Sequence, residues 1–583
     1  MKYTLVNSEI QKDFVKSLLA IRGIKDVETF LNPTKEILQE PESLENIEQG
    51  AQLLLSILQL ENPTISIVAD CDVDGFTSAA IIYNYIKMIK PETSLIYHLH
   101  TGKAHGLEDC WEEVMQDNSD LIILPDASSN DYEYHIKFNI PILILDHHEV
   151  EENTQFASNA VIINNQLSPN YINKGLTGAG VAYQFCRMVD KIIGKNYAEN
   201  FIDLAALGII ADMGSLLYVE NQYIVKTGLR HIQNIMFKET VIKQAYSLVG
   251  NKDMPFEQIQ ELLTPDKISF YVVPLYNAMI RIGTMEEKNR LFYSFIDGNS
   301  LVPCHKRGAA GTLERISIES LRECTNVKNK QKKLREEIAS NLEMRMYKDG
   351  TIDDKMLFIV LNDNDTFQPE LNGLIAMEIV SKYKRPTLIG RKRDGFIKGS
   401  GRGMDASQLK DFKAFLNQSN LFEFVQGHPN AFGYSLSESN FSKVKNYAEV
   451  QLKDYNFHEN EYPVNLVAYS YEEKLLPFIQ DIGQHENIWG SGNPEPKLCI
   501  KNLALNSSNV VICGTKRDTI KVTDNGIVYM FFNSKDLIAE YEQKGSLILD
   551  IVGTAKLNHF RGIVTPQILV NNYSPCISNP FTF

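Results

Sequence analysis

A chain of 583 residues is too long for a single hydrophobic core, so three or four domains are expected. Its 44% hydrophobic and 22% charged residues are ordinary for a globular protein, its net charge of −15 argues against a broadly basic nucleic-acid-binding surface, and no run of 18 apolar residues offers a membrane span. Met1 to Gln11 lack the apolar core of a signal peptide; the eight cysteines form no CxxC pair, which argues against a zinc ribbon or disulfide scaffold and fits a reducing cytoplasm.

The first 60 residues read as helices: Phe14 to Leu19, a break at Arg22-Gly23-Ile24, Val27 to Leu31 before Pro33, then an amphipathic run from Ile47 to Leu60. From 64 to 212 apolar strand patterns (65–69, 94–99, 120–125, 141–145 and 160–163) alternate with helical ones such as Thr77 to Lys90, the signature of a parallel α/β sheet.

The ends of these strands are acidic. The first apolar run stops at Asp70-Cys71-Asp72-Val73-Asp74-Gly75. Residues two apart on extended chain point the same way, so three carboxylates converge, strongly repelling one another without a cation. A capped, solvated acidic turn is the plainer reading of this stretch alone. But Leu121 to Pro125 ends at Asp126, Ile142 to Leu145 ends at Asp146-His147-His148, and Leu204 to Ala211 ends at Asp212. Ligands of open parallel sheets bind beyond the carboxyl ends of the strands, and four acids in register exceed what helix capping explains. Mixed carboxylate and imidazole donors suit Mn²⁺ or another first-row divalent ion. Five or more ligands exceed the need of one open-sited metal and point to two ions, about 3.5–4 Å apart and bridged by a carboxylate.

Gly308 to Tyr347 contains no proline, and Asn326 to Ala339 reads as a long polar helix. A second α/β unit begins with a strand at Met356 to Leu361 and a helix at Leu371 to Lys382. Lys382 to Arg402 holds eight Lys/Arg and one acid, Asp394, a basic segment in an acidic chain. Gly399-Ser400-Gly401-Arg402-Gly403 reads as a flexible cationic turn, suited to hold a phosphate through backbone N–H groups and a guanidinium. Short strand patterns from 510 to 570 suggest a small barrel, with Lys556, His559, Phe560 and Arg561 either contacting a single strand or forming a structural turn.

Asp70 to Gly75, Asp126, Asp146-His147-His148 and Ala211-Asp212 resemble the four motifs of the DHH phosphoesterase superfamily. Within it the chain resembles, nearly end to end, the RecJ-type single-strand-specific 5′→3′ exonucleases. Arg22-Gly23-Ile24 and Phe30 to Pro33 resemble their leader; Leu176 to Ala182 resembles their CGAGVA segment; Leu204 to Asp212 with Glu220-Asn221 resembles ALGTVAD…EN. Asn277 to Gly283 resembles NAAGR-I, Gly427 to Gly433 resembles the GGHxxAAG motif of the DHH-associated (DHHA1) domain, and Gly492 to Pro496 resembles the entrance to an oligonucleotide-binding (OB) barrel.

The resemblance implies an α/β protein: N-terminal helices and a DHH parallel-sheet domain (1–306), a long connecting helix (307–348), a smaller α/β DHHA1 domain (349–465) and a C-terminal OB-type β-barrel (466–583). It implies Asp72, Asp74, Asp126, His147 and Asp212 as metal ligands, and Asp70 as a further ligand or an acid that orients them. His148 would contact the scissile phosphate, protonate the leaving 3′-oxygen, or serve as a second imidazole on the same ion. Arg281, Ser400 and Arg402 would form a 5′-phosphate pocket, and His428 would reach the nucleotide from the second lobe. The implied cofactor is a pair of Mn²⁺ ions, with Mg²⁺ as a substitute. The implied partner is single-stranded DNA, with a single-strand-binding protein or helicase as candidate protein partners. The chain is expected to be a cytoplasmic monomer, away from membranes, releasing 5′-mononucleotides in DNA repair, recombination or replication.

Three features depart from the pattern. Asp126-Ala127-Ser128 lacks the glycine usual after the motif aspartate, Cys71 replaces a common tyrosine, and His100 falls at the arginine of a loop that runs on through Lys103 and His105 to Leu107. With the ligand set intact, these are expected to alter rate or substrate preference. The alternatives are a phosphatase of short oligonucleotides or bisphosphorylated nucleotides, and a catalytically weak DNA-binding scaffold.

Overall fold

The computed structural model describes all residues except 1, 8–9, 11, 103, 152, 307, 310, 362–366, 368, 458–460, 515, 561–562 and 577–583. Strand β1 (Lys2–Leu5) opens the chain. The first lobe is built on β2 (Thr64–Ala69), β3 (Ser94–Leu99), β4 (Leu121–Pro125), β5 (Ile142–Asp146) and β6 (Ala160–Asn164), all parallel, in the order β3-β2-β4-β5-β6.

Strands β4 and β5 are apolar without alternation because both faces of the sheet are covered. Leu121 and Ile123 point into the main core, which also takes in the helices Val73–Ile89, Gly178–Ile193 and Ile202–Ala211. Ile122 and Leu124 point into a separate cluster with Leu107, Val114 and Phe138. The chain leaves β2 toward β3 and then crosses back to β4, so a crevice opens at the carboxyl ends of β2 and β4.

A short hairpin, β7 (Leu301–Pro303) and β8 (Leu313–Arg315), leads into a single helix, Ile316–Asp349. At 34 residues it spans about 50 Å. Its first half buries Leu321, Cys324 and Val327 in the first lobe; its second half buries Ile338, Leu342 and Met346 in the second. The helix is longer at both ends than its polar centre indicates, because each end is anchored in a different core.

The second lobe carries β9 (Leu357–Leu361), β10 (Thr387–Arg393), β11 (Phe396–Arg402), β12 (Phe424–His428) and β13 (Ala431–Ser437), in the order β12-β13-β11-β10-β9. This corrects one expectation. Residues 399–402 are the central strand of this sheet, paired on both sides, rather than a flexible turn. The glycines serve packing: a Cβ on Gly399 would lie 1.9 Å from the Ile389 carbonyl oxygen, and one on Gly401 would lie 2.2 Å from the Phe432 ring. Side chains two apart share a face, so Ser400 and Arg402 project together on the opposite side.

The third unit begins with β14 (Glu461–Val464), which pairs in parallel with β1. Strands β15 (Leu466–Tyr469), β16 (Lys497–Leu505), β17 (Val510–Cys513), β18 (Thr519–Asp524), β19 (Ile527–Phe531), β20 (Leu547–Phe560) and β21 (Ile563–Pro575) form a seven-stranded sheet, ordered β15-β16-β20-β21-β19-β18-β17. The expected barrel is therefore open: among the described residues no ladder joins β17 back to β16, whose other edge is taken by β15. Lys556 is also not a free groove cation, since its Nζ lies 2.9 Å from Glu495 and 4.0 Å from Asp266 of the first lobe. His559 is partly buried, whereas the Phe560 side chain and Arg561 lie outside the described residues. No helix among the described residues is long and apolar enough to cross a membrane.

The chain's first 31 residues pack where the sequence offers no hint. Besides supplying β1, they bury Ile10, Phe14, Val15, Leu18, Leu19, Phe30 and Leu31 in the core of the C-terminal unit, beside Phe478 and the fully buried Trp489. Phe14 and Phe478 rings pack at 5.3 Å. Phe14→Ala is accordingly expected to destabilise the C-terminal unit by about 3–5 kcal/mol, read as an early transition in chemical denaturation. A melt unchanged from wild type would contradict this packing.

Candidate metal centre

The crevice is lined by side chains that arrive on several elements. Asp72 caps the Val73–Ile89 helix, its carboxylate accepting from Gly75 N at 3.0 Å. Asp74, in the first turn, is 1% exposed and reaches the start of the Gly178–Ile193 helix. There it accepts from Gly178 N at 2.8 Å, Ala179 N at 3.1 Å and Thr177 Oγ1 at 3.0 Å, a helix N-terminus holding an anion. Asp126 ends β4, and Asp212 follows the Ile202–Ala211 helix, so the last acid arrives on a helix end rather than a strand end.

Three of these carboxylates meet at one atom. His147 Nε2 lies 3.1 Å from Asp126 Oδ1, 3.6 Å from Asp212 Oδ2 and 3.9 Å from Asp74 Oδ2. Asp126 Oδ1 and His147 Nε2 are both buried without a hydrogen-bond partner. Burial, compounded by the neighbouring aspartates, pushes Asp72 up, Asp126 far up, and Asp212 up to about 8. Burial also raises Asp74, against its three hydrogen bonds. Burial and the adjacent His148 lower His147 to about 4, leaving its imidazole neutral. Several carboxylates that cannot all ionise beside one another, a neutral imidazole and orphaned donor atoms are the donor set a divalent cation satisfies.

Two motif glycines exist to make room. A Cβ on Gly178 would stand 2.2 Å from Asp126 Oδ1, and one on Gly208 would stand 2.2 Å from Asp74 Oδ1. The motif loop without its glycine takes the glycine path regardless: Asp126 has φ +71° and Ser128 has φ +89°. Ser128 is held there by its side-chain hydrogen bond to Asp131.

His148 lies at the rim, half exposed, with its ring 4.4 Å from that of His147 and one ring nitrogen within 4.8 Å of donor atoms of both Asp126 and His147. Its Nδ1 pairs with Asp146 Oδ1 at 2.8 Å, which leaves Nε2 for another partner. Asp146 is the residue whose role is hidden in the sequence. It is 1% exposed, and its two oxygens also accept from the backbone N of His147, His148 and Ser129. Burial opposes its ionisation, but the hydrogen bond and charge of His148 hold it well below the usual carboxylate range. Conversely, against burial, Asp146 lifts His148 to about 9.

Asp70 is 2% exposed and bonded to His105 Nδ1 at 2.9 and 3.0 Å, and its charge acts on Asp72, Asp126, His147, His148 and Asp212. His100 is buried and tied to Asp109 through Nδ1, so it holds its loop rather than offering a phosphate contact; Lys103 lies outside the described residues. Arg281 sits in the last turn of the Val273–Ile282 helix and is close enough to act on Asp72. Burial and then Arg281 lower Arg402, while burial, Arg335 and Arg281 lower Lys328 of the long helix. Three cations from three elements therefore gather, Arg402 and Lys328 around the Arg281 that acts on Asp72, and Lys328 carries no motif that would single it out. Arg402 packs over Gly373, where a Cβ would lie 2.4 Å from its Nη2. His428 is exposed at the β12–β13 hairpin.

Residues 64–209 match the DHH family, N-terminal domain, and residues 470–572 match the RecJ OB domain. The chain is 34% identical over 583 residues, 97% of each chain, to the "Putative SPbeta prophage-derived single-strand DNA-specific exonuclease YorK" of Bacillus subtilis (strain 168). Its fold is similar to the crystal structure of RecJ from Thermus thermophilus in complex with Mn²⁺, with a TM-score of 0.69 and 18% identity over 96% of this chain and 76% of that one. The same protein in complex with Mg²⁺ matches with a TM-score of 0.63 and 18% identity over 96% of this chain and 74% of that one.

Carboxyl groups raised by folding bind more protons folded than unfolded. The cation-free protein should therefore lose stability as pH rises from about 4, the ordinary aspartate value, toward the value of about 8 for Asp212. Mn²⁺ should flatten that slope. Asp126→Asn, which removes one buried acid and suits positive φ, should raise the melting temperature in a chelator and abolish the rise caused by Mn²⁺. Melts across pH with and without Mn²⁺ check both; a Mn²⁺ response equal to wild type would contradict the centre.

Proposed function

Since this chain belongs to the RecJ family of DHH-domain single-strand-DNA-specific exonucleases, we propose that it hydrolyses single-stranded DNA from the 5′ end, releasing 5′-mononucleotides. The observation that carries the reading is the convergence of Asp74, Asp126 and Asp212 on His147 Nε2, at 3.1–3.9 Å, in a switch-point crevice. Asp72, Asp74, Asp126, His147 and Asp212 would hold two divalent ions, Mn²⁺ with Mg²⁺ as a substitute. Such ions, when bound, supply charge neutralisation at the phosphate and a water acidic enough to ionise near neutral pH.

The protein's own groups do the rest. Asp146 holds His148 by Nδ1, so that Nε2 donates to a phosphate oxygen or to the departing 3′-oxygen. Arg281, Ser400 and Arg402 take the terminal 5′-phosphate; guanidinium forks suit its oxygens, and Lys328 adds charge from the long helix. The backbone N–H groups of 399–402 have no part in this, because the sheet uses them. His428, on an exposed hairpin, contacts the strand from the second lobe. Asp70 orients through His105 rather than ligating from the centre. A site framed by two lobes on one shared helix accepts a strand end and disfavours a duplex.

Single-stranded DNA labelled at either end, a duplex and a dinucleotide, each incubated with Mn²⁺, test this. Labelled mononucleotide should leave the 5′ end at once, while the 3′-labelled strand shortens stepwise. Cleavage confined to the dinucleotide would move the reading to a short-oligonucleotide phosphatase; binding without cleavage would leave a scaffold. His148→Ala should lower kcat about 10²–10⁴-fold with little change in KM. Arg402→Ala should raise KM roughly 10–100-fold for 5′-phosphorylated strands, and far less for strands ending in a 5′-hydroxyl.

A further inference from the structure

Beside the carboxylate centre lies a second, chemically different group of donors. Asp70 and Cys71 leave the end of β2, and His105 comes from the loop after β3. His105 Nδ1 is 2.9 Å from Asp70 Oδ2, 3.0 Å from Asp70 Oδ1 and 3.9 Å from Cys71 Sγ, and one ligand atom of each residue falls within a 4.8 Å span. Both arms are fixed by backbone. A Cβ on Gly75 would strike Asp70 Cβ at 2.6 Å, and Gly106, at φ +54°, turns the loop that carries His105. Cys71 is 8% exposed, Asp70 2%, and the His105 side chain 59%, so the cluster is buried on one side and open to solvent on the other.

Two adjoining sites of different chemistry follow. The inner one offers carboxylates around one imidazole; the outer one offers a thiol, an imidazole and a carboxylate. Zinc–sulfur and zinc–nitrogen bonds of about 2.3 and 2.0 Å place tetrahedral ligands about 3.5 Å apart. The two spacings from His105 Nδ1, 2.9 and 3.9 Å, bracket that value, and the Asp70 and Cys71 donor atoms lie within 4.8 Å of one another, so closure on an ion draws the three ligands together. We propose that Asp70, Cys71 and His105 form a separate site for a thiophilic divalent cation of the zinc class, with three protein ligands and a fourth position open to solvent. Binding displaces the protons of the Cys71 thiol and the His105–Asp70 hydrogen bond to solvent and forms the sulfur, nitrogen and oxygen bonds in their place. The site shares Asp70 and His105 with the positioning role given above but does not require cleavage, and its test reads the metal–sulfur bond itself.

Co²⁺ added to the full chain is the probe, because a thiolate ligand gives it an intense near-ultraviolet charge-transfer band that carboxylates and imidazoles do not. The band should appear in the wild-type protein, bleach on adding Zn²⁺, vanish in Cys71→Ser, and persist in Cys110→Ser, whose thiol neighbours His100 and Asp109. In His105→Ala, at the exposed end of the cluster, the band should need at least tenfold more Co²⁺. That variant carries the test where Cys71→Ser fails to fold, as judged by its thermal melt. No band in the wild-type protein, a band of full strength in Cys71→Ser, or an unchanged Co²⁺ titration in His105→Ala would each overturn the proposal.

Discussion

Mutual repulsion among buried carboxylates is the constraint around which this molecule is arranged. Asp74, Asp126 and Asp146 are each 2% exposed or less, and Asp72 and Asp212 adjoin them. A fold gathers such groups only if other interactions overdetermine their places. Here the fixing is visible: a helix N-terminus for Asp74, a cap for Asp72, three backbone N–H groups for Asp146, and a glycine-like backbone at Asp126. The stability lost to crowding is recovered by protonation or by positive charge in their midst, so the crevice is suited to a cation.

The second dependence is mechanical. One helix anchors its two halves in two different cores, and the helix that carries Arg281 ends with Ile282 packed against the second of them. Cationic groups of the first lobe, the long helix and β11 are thereby brought together around Arg281 on rigid elements rather than on loops. The C-terminal unit is tied in more unexpectedly, since the chain's first residues complete its core and β1 pairs with β14. The two ends of the chain thus form one unit, and Gln222 Nε2 donating to the Ile488 carbonyl at 2.8 Å, with Lys556 against Asp266, fastens it to the first lobe.

The departures from the family pattern have structural consequences of different kinds. Ser128 keeps the path of the missing glycine, with a side-chain hydrogen bond to Asp131 to hold it. His100 turns inward and becomes part of the loop's support. Cys71 stays at the crevice with His105 beside it, so only this change brings new donor chemistry to the surface of the centre.

Much of the fold and the centre was legible because the relevant physics is local. Apolar runs of strand length place most of the parallel strands, and two of them end in the acids Asp126 and Asp146; Asp212, read as another strand end, in fact follows a helix. A strand exposes its end to a ligand whatever surrounds it. What the sequence left undetermined depends on partners distant along the chain. Gly399 to Arg402 has turn composition but is a central strand, because those glycines let β10 and the Phe432 ring approach. The seven strands of the last unit are regular, yet whether their sheet closes is decided by which edge β15 occupies. The roles of Asp146 and His105 are set by hydrogen bonds across turns and between loops, and the packing of Phe14 on Phe478 joins residues at opposite ends of the chain. Residue type and spacing determined which chemistry is present; only tertiary contacts decided which donors share a site, because distance in space is not written in distance along the chain.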